Sequence, residues 1–147
     1  MTSNLINELF NIRSRPGFSH SDIRRRIIDV FNQLLGIPLT FIKAEAPLIG
    51  EPGSYRGRID IFLEEKIVVE VKRDLRKELD KAVEELNKYA KMLEDKGIRA
   101  FYIATDGITW YFYIYDNLKG EISKIGEFTV QRDWSCEKLS LAISENI

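Results

Sequence analysis

The chain has 147 residues, of which 44% are hydrophobic and 31% are charged. This balance is typical of one ordinary folded domain and excludes a largely disordered or fibrous chain. The formal net charge of −1 excludes the strongly basic overall composition of many nucleic-acid-binding proteins. A single cysteine and a single histidine exclude a disulfide framework and a zinc site built from Cys or His clusters. Any bound metal therefore requires oxygen ligands, which favours magnesium, manganese or calcium.

The hydrophobic pattern predicts alternating helices and strands in one domain over residues 1–147. The first elements are a helix at 3–13 and a second helix that begins at Ser19 or Ser21 and ends near Gly36. The predicted elements that follow are strands at 39–46, 58–63 and 67–72, a helix at 76–96, strands at 99–105 and 109–115, a weaker strand at 124–130 and a helix at 135–145. A loop is predicted at 47–57, and Asp106-Gly107 predicts a tight turn. The long central helix can serve as a crossover, so we expect an α/β fold with a central mixed β-sheet flanked by helices.

The most informative cluster of charged residues is Asp60, Glu70 and Lys72. Glu70 and Lys72 are two residues apart on an otherwise apolar strand, so their side chains point to the same face. If the connection is the three residues 64–66, Asp60 lies opposite Glu70 on that face, together with Arg58 and Phe62. A two-residue connection would turn Asp60 to the opposite face.

This arrangement predicts a divalent-cation site. The carboxylates of Asp60 and Glu70, with the strand carbonyl of Val71, supply the oxygen ligands that such an ion prefers. A site of this kind suits phosphodiester hydrolysis, with Lys72 orienting the attacking water or stabilising charge on the phosphate. The alternative interpretation is a cross-strand ion pair on a half-exposed sheet face.

The chain resembles the PD-(D/E)xK nuclease superfamily, and within it the N-terminal nuclease domain of type I restriction enzyme R subunits. The stretches that carry the resemblance are SHSDIRRRIID at 19–29, GRIDIFL at 57–63, IVVEVKR at 67–73, ELNKYA at 85–90 and TDGITWYFY at 105–113. The resemblance implies a restriction-endonuclease-like fold and a Mg²⁺- or Mn²⁺-dependent deoxyribonuclease, a hydrolase of a restriction system. It also implies that Asp60, Glu70 and Lys72 are the catalytic residues that bind the metal and cut DNA; the expected metal ligands are Asp60, Glu70 and the strand carbonyl of Val71.

Several auxiliary residues follow from the same resemblance. His20 stands where the family usually has an acid, with Asp22 two residues later, and Glu85 stands where the family usually has Gln. Glu45 matches a family acid, and Tyr89 is either a wall of the site or a core residue. His20 is either a ligand or base at the site, or a surface residue at the start of the helix.

The expected partner is DNA, since phosphate contacts require basic side chains but no sequence-reading element. The candidate DNA-binding residues are Arg24, Arg25, Arg58, Arg73, Arg76 and Lys77. The resemblance adds a homodimer, or restriction and helicase subunits, as possible protein partners. The N-terminal residues and the lack of a long apolar run predict a cytoplasmic protein with no membrane contact. The alternative function is a non-catalytic DNA- or protein-binding module on the same fold.

Overall fold

The computed structural model describes residues 5–49 and 56–147, which form four α-helices and six β-strands. The helices are α1 (Leu5–Ser14), α2 (His20–Asp29), α3 (Leu75–Asp95) and α4 (Cys136–Ser144). The strands are β1 (Ile42–Ile49), β2 (Arg56–Leu63), β3 (Ile67–Val71), β4 (Phe101–Thr105), β5 (Thr109–Asp116) and β6 (Glu121–Thr129). The predicted helices and strands are therefore present in the predicted order.

The six strands form one mixed sheet in the order β1-β2-β3-β4-β5-β6. The β3–β4 pair is parallel and the other four pairs are antiparallel. The parallel pair needs a crossover, and α3 supplies it because it connects the end of β3 to the start of β4. The predicted α/β class and mixed sheet are confirmed.

Helices cover both faces of the sheet. On one face, α1, α2 and α4 pack over a cluster that includes Val69, Val71 and Trp110. On the other face, α3 packs through Leu86 and Tyr89 over a cluster that includes Val68, Tyr102 and Tyr113. Because β3 is buried on both faces, its apolar residues alternate between the two clusters, and Glu70 is the one charged side chain within the strand.

The β2–β3 hairpin has the predicted three-residue connection. Leu63 pairs with Ile67 and Phe62 with Val68, so residues 64–66 form the turn. Glu64 and Glu65 have φ angles of 52° and 57°, in the left-handed region that most side chains avoid. The register prediction on which the placement of Asp60 depends is confirmed.

The prediction that Arg58, Asp60 and Phe62 share one face is wrong, because β2 changes its alternation at Asp60. Ile59 packs in the α3 cluster with Phe62, although their odd spacing would place them on opposite faces. The neighbouring strand is distorted at the same level, where Glu45 has a φ angle of 50°. Arg58 lies beyond this interruption of the strand.

The remaining differences concern the ends of elements. The predicted strand at 39–46 begins three residues later, because Leu39–Phe41 forms a 3-10 turn in which the Phe41 amide bonds to Pro38. The predicted loop at 47–57 is strand up to Ile49 and from Arg56 onward, and residues 50–55 lie outside the described part of the chain. The second helix extends through a π turn, Val30–Leu34, and ends before Gly36 as predicted.

No helix in residues 5–49 and 56–147 combines the length and the apolar composition needed to cross a membrane.

Candidate active site

Asp60, Glu70 and Lys72 come together where β2 and β3 separate. The last pair of the β2–β3 ladder is Ile61 with Val69, and beyond it the Val71 amide donates a 2.8 Å hydrogen bond to Asp60 Oδ2. Lys72 Nζ lies 3.2 Å from Glu70 Oε2. A side chain thus replaces a strand backbone as the partner of Val71, and this directs the Asp60 carboxylate toward the end of β3.

Glu70 is the buried acid of the site, with 5% of its surface exposed. Burial, and next the charge of Asp60, raise the pKa of Glu70 to about 8, and the ion pair with Lys72 offsets only part of this. Oε1 of Glu70 is buried and receives no hydrogen bond from a donor group in the described residues, although the Asp60 carboxyl group lies within hydrogen-bond range of Glu70. A buried carboxylate oxygen without a partner is costly unless a proton or a cation compensates it.

Asp60 is held in its charged form. Burial acts to raise its pKa, but the hydrogen bonds from His20 and the Val71 amide outweigh that effect, so the net direction is downward. The two carboxyl groups are close enough to shift each other's pKa in opposite directions. A pair of carboxylates with divided protonation is a common feature of functional sites.

His20 is part of this cluster rather than a surface residue at the start of α2. Its Nε2 atom lies 2.9 Å from the Val71 carbonyl oxygen and 3.3 Å from Asp60 Oδ2. The hydrogen bond to Asp60 raises the pKa of His20, against the opposing effect of burial. The imidazole therefore contacts two of the three groups that the sequence assigned to a metal, Asp60 and the Val71 carbonyl.

Ser19 explains how His20 reaches the site. Its side chain accepts a hydrogen bond from the Asp22 amide, and the Asp22 carboxylate accepts one from the Ser19 amide, which completes a capping box. This places His20 in the first turn of α2, facing β2 and β3. Asp22 is thus engaged in capping the helix.

Glu45 and Arg24 form an ion pair beside the site. Arg24 Nη1 lies 3.3 Å from Glu45 Oε1, and the Glu45 side chain is 54% exposed. Glu45 is the distorted point of β1, level with Asp60. One predicted DNA-binding arginine is therefore paired with one predicted auxiliary acid.

Glu85 and Tyr89 lie on α3, on the opposite face of the sheet from His20. Glu85 Oε1 is 3.6 Å from Lys88 Nζ. The Tyr89 hydroxyl donates a 2.8 Å hydrogen bond to the Arg58 carbonyl, and the ring is buried. This contact holds α3 against β2, two residues before Asp60, and so helps to position Asp60.

The other predicted DNA-binding residues are exposed. Arg73 lies with its guanidinium carbon 4.7 Å from the centre of the Phe18 ring. Four more are exposed as well: Arg25 on α2, Arg58 on β2, and Arg76 and Lys77 in the first turn of α3.

Asp106 is the residue that the sequence interpretation missed. It is 3% exposed, and its carboxylate accepts hydrogen bonds from the amides of Leu75, Ile108 and Thr109 and pairs with Arg13 at 2.9 Å. It therefore connects the start of α3, the β4–β5 turn and α1. The Asp-Gly pair indicated a turn, but no local signal indicated the bond to Leu75, 31 residues away.

The predicted metal site consists of two carboxylates and one backbone carbonyl. Within residues 5–49 and 56–147, no group of three or more His, Cys, Asp and Glu side chains is arranged to hold a metal ion. The chemistry of the donor set nevertheless fits a divalent cation, because Glu70 Oε1 receives no hydrogen bond from a donor group and Asp60 and the Val71 carbonyl supply further oxygens.

Comparison with known proteins adds no relative of this chain. No family model matches the sequence, and neither a curated protein nor a solved structure matches it.

Proposed function

We propose that this chain is a metal-dependent endonuclease of the PD-(D/E)xK type, with a restriction-endonuclease-like fold, that hydrolyses phosphodiester bonds in DNA. The observation that carries the proposal is the buried Glu70 carboxyl group, which lies next to Asp60 and 3.2 Å from Lys72 and has one oxygen that receives no hydrogen bond from a donor group. The Asp60 and Glu70 carboxyl groups lie within hydrogen-bond range of each other, where either a shared proton or a bound cation can offset their charges. A divalent cation in that place would also bind the Glu70 oxygen that receives no hydrogen bond.

Each residue of the proposed site has a separate role. Asp60, Glu70 and the Val71 carbonyl would hold Mg²⁺ or Mn²⁺, which when bound polarises the phosphate and lowers the pKa of an attacking water. Asp60 is oriented by the Val71 amide and kept ionised by its hydrogen bonds. Lys72 is held beside the two carboxyl groups by Glu70, where its ammonium group would orient the water and stabilise charge on the phosphate.

The topology supports the same proposal. The Asp and the Glu-x-Lys come from adjacent antiparallel strands, and the crossover helix and a parallel strand follow. This order of strands and helix is the one expected from the resemblance of the sequence to the nuclease domain of restriction enzyme R subunits. A homodimer, or restriction and helicase subunits, are partners that the resemblance adds to the proposal.

The test is cleavage of DNA. Purified protein is incubated with supercoiled plasmid and linear duplex in Mg²⁺ or Mn²⁺, alongside Asp60→Asn, Glu70→Gln and Lys72→Ala. We expect each variant to lose at least about 100-fold in rate, because removal of one charge-stabilising group has an effect of this order. Glu127→Gln, which changes an exposed carboxylate on β6, serves as the matched control and keeps full activity. Equal inactivity of the wild type and Asp60→Asn on both DNA forms would contradict the proposal.

One observation favours the non-catalytic binding module as a second candidate. His20 Nε2 contacts both Asp60 Oδ2 and the Val71 carbonyl, so two prospective metal ligands already have a partner. In this second candidate function, the contacts of His20 with Asp60 and Val71 stabilise the hairpin, and the surrounding arginines bind DNA without cleaving it. Salt-dependent DNA binding by a protein that is inert in both metals would support the module.

A further inference from the structure

A second feature lies at the same end of the sheet as Asp60, Glu70 and Lys72. A groove of about 350 Å³ opens between the end of α1 and the start of α3, lined by Phe10, Arg13, Arg76, Asp106 and Arg132 among others. It continues into a recess of about 580 Å³ along the end of β6, and Phe10, Arg76 and Arg132 belong to both. We call the two together the arginine groove.

The groove is joined to the candidate active site through the backbone. The Lys72 amide donates a 3.0 Å hydrogen bond to the Thr105 carbonyl, and the next residue, Asp106, forms part of the groove wall. The Leu75 amide bonds to the same Asp106 at 2.9 Å. The segment that contains Lys72 and the segment that forms the groove wall are therefore hydrogen-bonded to each other. A strand of nucleic acid bound at Lys72 would lie next to the groove.

The three arginines are held in defined positions. Arg13 is fixed by its 2.9 Å ion pair with the buried Asp106. Arg132 lies with its guanidinium carbon 4.5 Å from the centre of the Phe10 ring, and stacking of this kind leaves the edge of the guanidinium group available for hydrogen bonds. Arg76 is exposed in the first turn of α3.

The acidic residues of the groove leave two of these charges unpaired. The charge of Asp106 is compensated by Arg13 and three backbone amides. Asp74 caps α3 and accepts a hydrogen bond from the Arg76 amide, and Asp133 lines the outer recess. Arg76 and Arg132 form no ion pair with a carboxylate among the described residues.

The aromatic ring in the groove lining, Phe10, indicates which form of nucleic acid fits. Binding of single strands usually depends on aromatic faces that stack with bases. Here the guanidinium group of Arg132 already lies over the Phe10 ring. Contacts to phosphates remain, and these suit a duplex whose bases are already stacked.

We infer that the arginine groove binds the phosphate backbone of duplex DNA and continues the path of the strand away from Asp60, Glu70 and Lys72. This inference rests on the proposed function. Its new elements are Arg132, whose unpaired charge carries the path across the β4–β5 turn, and the preference for duplex over single-stranded DNA; Arg13 forms the wall beside it through its ion pair with Asp106.

The experiment measures binding without cleavage. Fluorescence anisotropy of a labelled duplex of about 25 base pairs, and of one of its strands, is followed in EDTA from about 50 to 200 mM salt. The double variant Arg76→Gln/Arg132→Gln should bind the duplex on the order of 10-fold more weakly, with a salt slope lower by about 1 to 2. The control Lys91→Gln/Arg99→Gln also removes two exposed positive charges, near the opposite end of the sheet, and should bind like the wild type.

Three outcomes would overturn the inference: an unchanged affinity of the groove variant, an equal loss in the control, or tighter binding of the single strand than of the duplex. Thermal melting of each variant checks that the fold is intact. If the wild type cleaves DNA while the groove variant binds normally, the inference that the arginine groove binds DNA is wrong and the nuclease proposal stands. If the groove variant loses DNA binding while the wild type cleaves no DNA in Mg²⁺ or Mn²⁺, the inference about the arginine groove stands and the nuclease proposal fails.

Discussion

At the scale of single residues, Glu70 is the most unusual group in the described chain. It is a carboxyl group in the most buried strand, with one oxygen paired to Lys72 and the other receiving no hydrogen bond from a donor group. Its neighbour Asp60 takes the opposite protonation state because His20 and the Val71 amide stabilise its charge. The cluster therefore has a defined pH response even before a ligand binds.

The pKa of Glu70 predicts how stability depends on pH in the metal-free protein. The pKa rises from 4.5 to about 8 on folding, so the folded state keeps a proton that the unfolded state has lost between these values. The stabilisation is complete below the unfolded pKa and is lost as the pH rises through the folded pKa. His20 acts in the same direction, because its pKa is also raised.

We therefore expect the free energy of unfolding to fall by about 2–4 kcal/mol between about pH 5 and pH 8.5, measured by urea denaturation in EDTA. Glu70→Gln, which cannot titrate, should be clearly less sensitive to pH over the same range. The control Glu127→Gln should follow the wild-type curve. A wild-type stability that rises with pH would contradict the assigned direction.

At the scale of elements, the site depends on how α2 begins and how the β2–β3 hairpin turns. The capping box between Ser19 and Asp22 fixes the first turn of α2, and with it the imidazole of His20. The three-residue turn fixes the register that brings Asp60 level with the end of β3. Neither element contains all the residues of the site.

The cap is expected to have a measurable effect on stability. Ser19→Ala removes the side-chain acceptor of the Asp22 amide and should lower the free energy of unfolding by about 1 kcal/mol. Ser21→Ala, at an exposed position in the first turn that takes no part in the cap, should change it by less than about 0.5 kcal/mol. Chemical denaturation of the two variants side by side makes the comparison, and equal effects would show that the capping box contributes little.

At the scale of the whole molecule, the sheet brings together the carboxyl end of β3, the start of α2 and the β4–β5 turn. The buried Asp106 links three of the surrounding segments through four contacts. Binding of a cation to this end of the molecule should therefore stabilise the fold as a unit, because a ligand that binds only the native state raises its stability by mass action.

Metal binding can thus be followed without an activity assay. We expect millimolar Mn²⁺ or Mg²⁺ to raise the melting temperature by several degrees at about pH 8, and by less at about pH 6, where the buried acid holds its proton. Asp60→Asn and Glu70→Gln should abolish the shift, while Glu127→Gln should keep it. A shift of the same size in Glu70→Gln would place the ion elsewhere.

Much of the fold could be predicted from local patterns. The apolar spacing of the helices, the β-branched strands and the connection of residues 64–66 each depend on neighbours in sequence, and the structure confirms them. The reversal of face at Asp60 could not be predicted, because it arises from the distorted partner strand at Glu45 and from packing of Ile59 against α3.

Periodicity and residue type were enough to predict the class of fold and the presence of an Asp and a Glu-x-Lys on adjacent strands, while the hairpin register depended on the length of a turn that allowed two alternatives. Tertiary packing places His20 beside Asp60 and Val71 and makes Asp106 the link between α1 and α3. These contacts join residues far apart in the chain, and the burial and hydrogen bonding at such contacts are properties of the packed molecule.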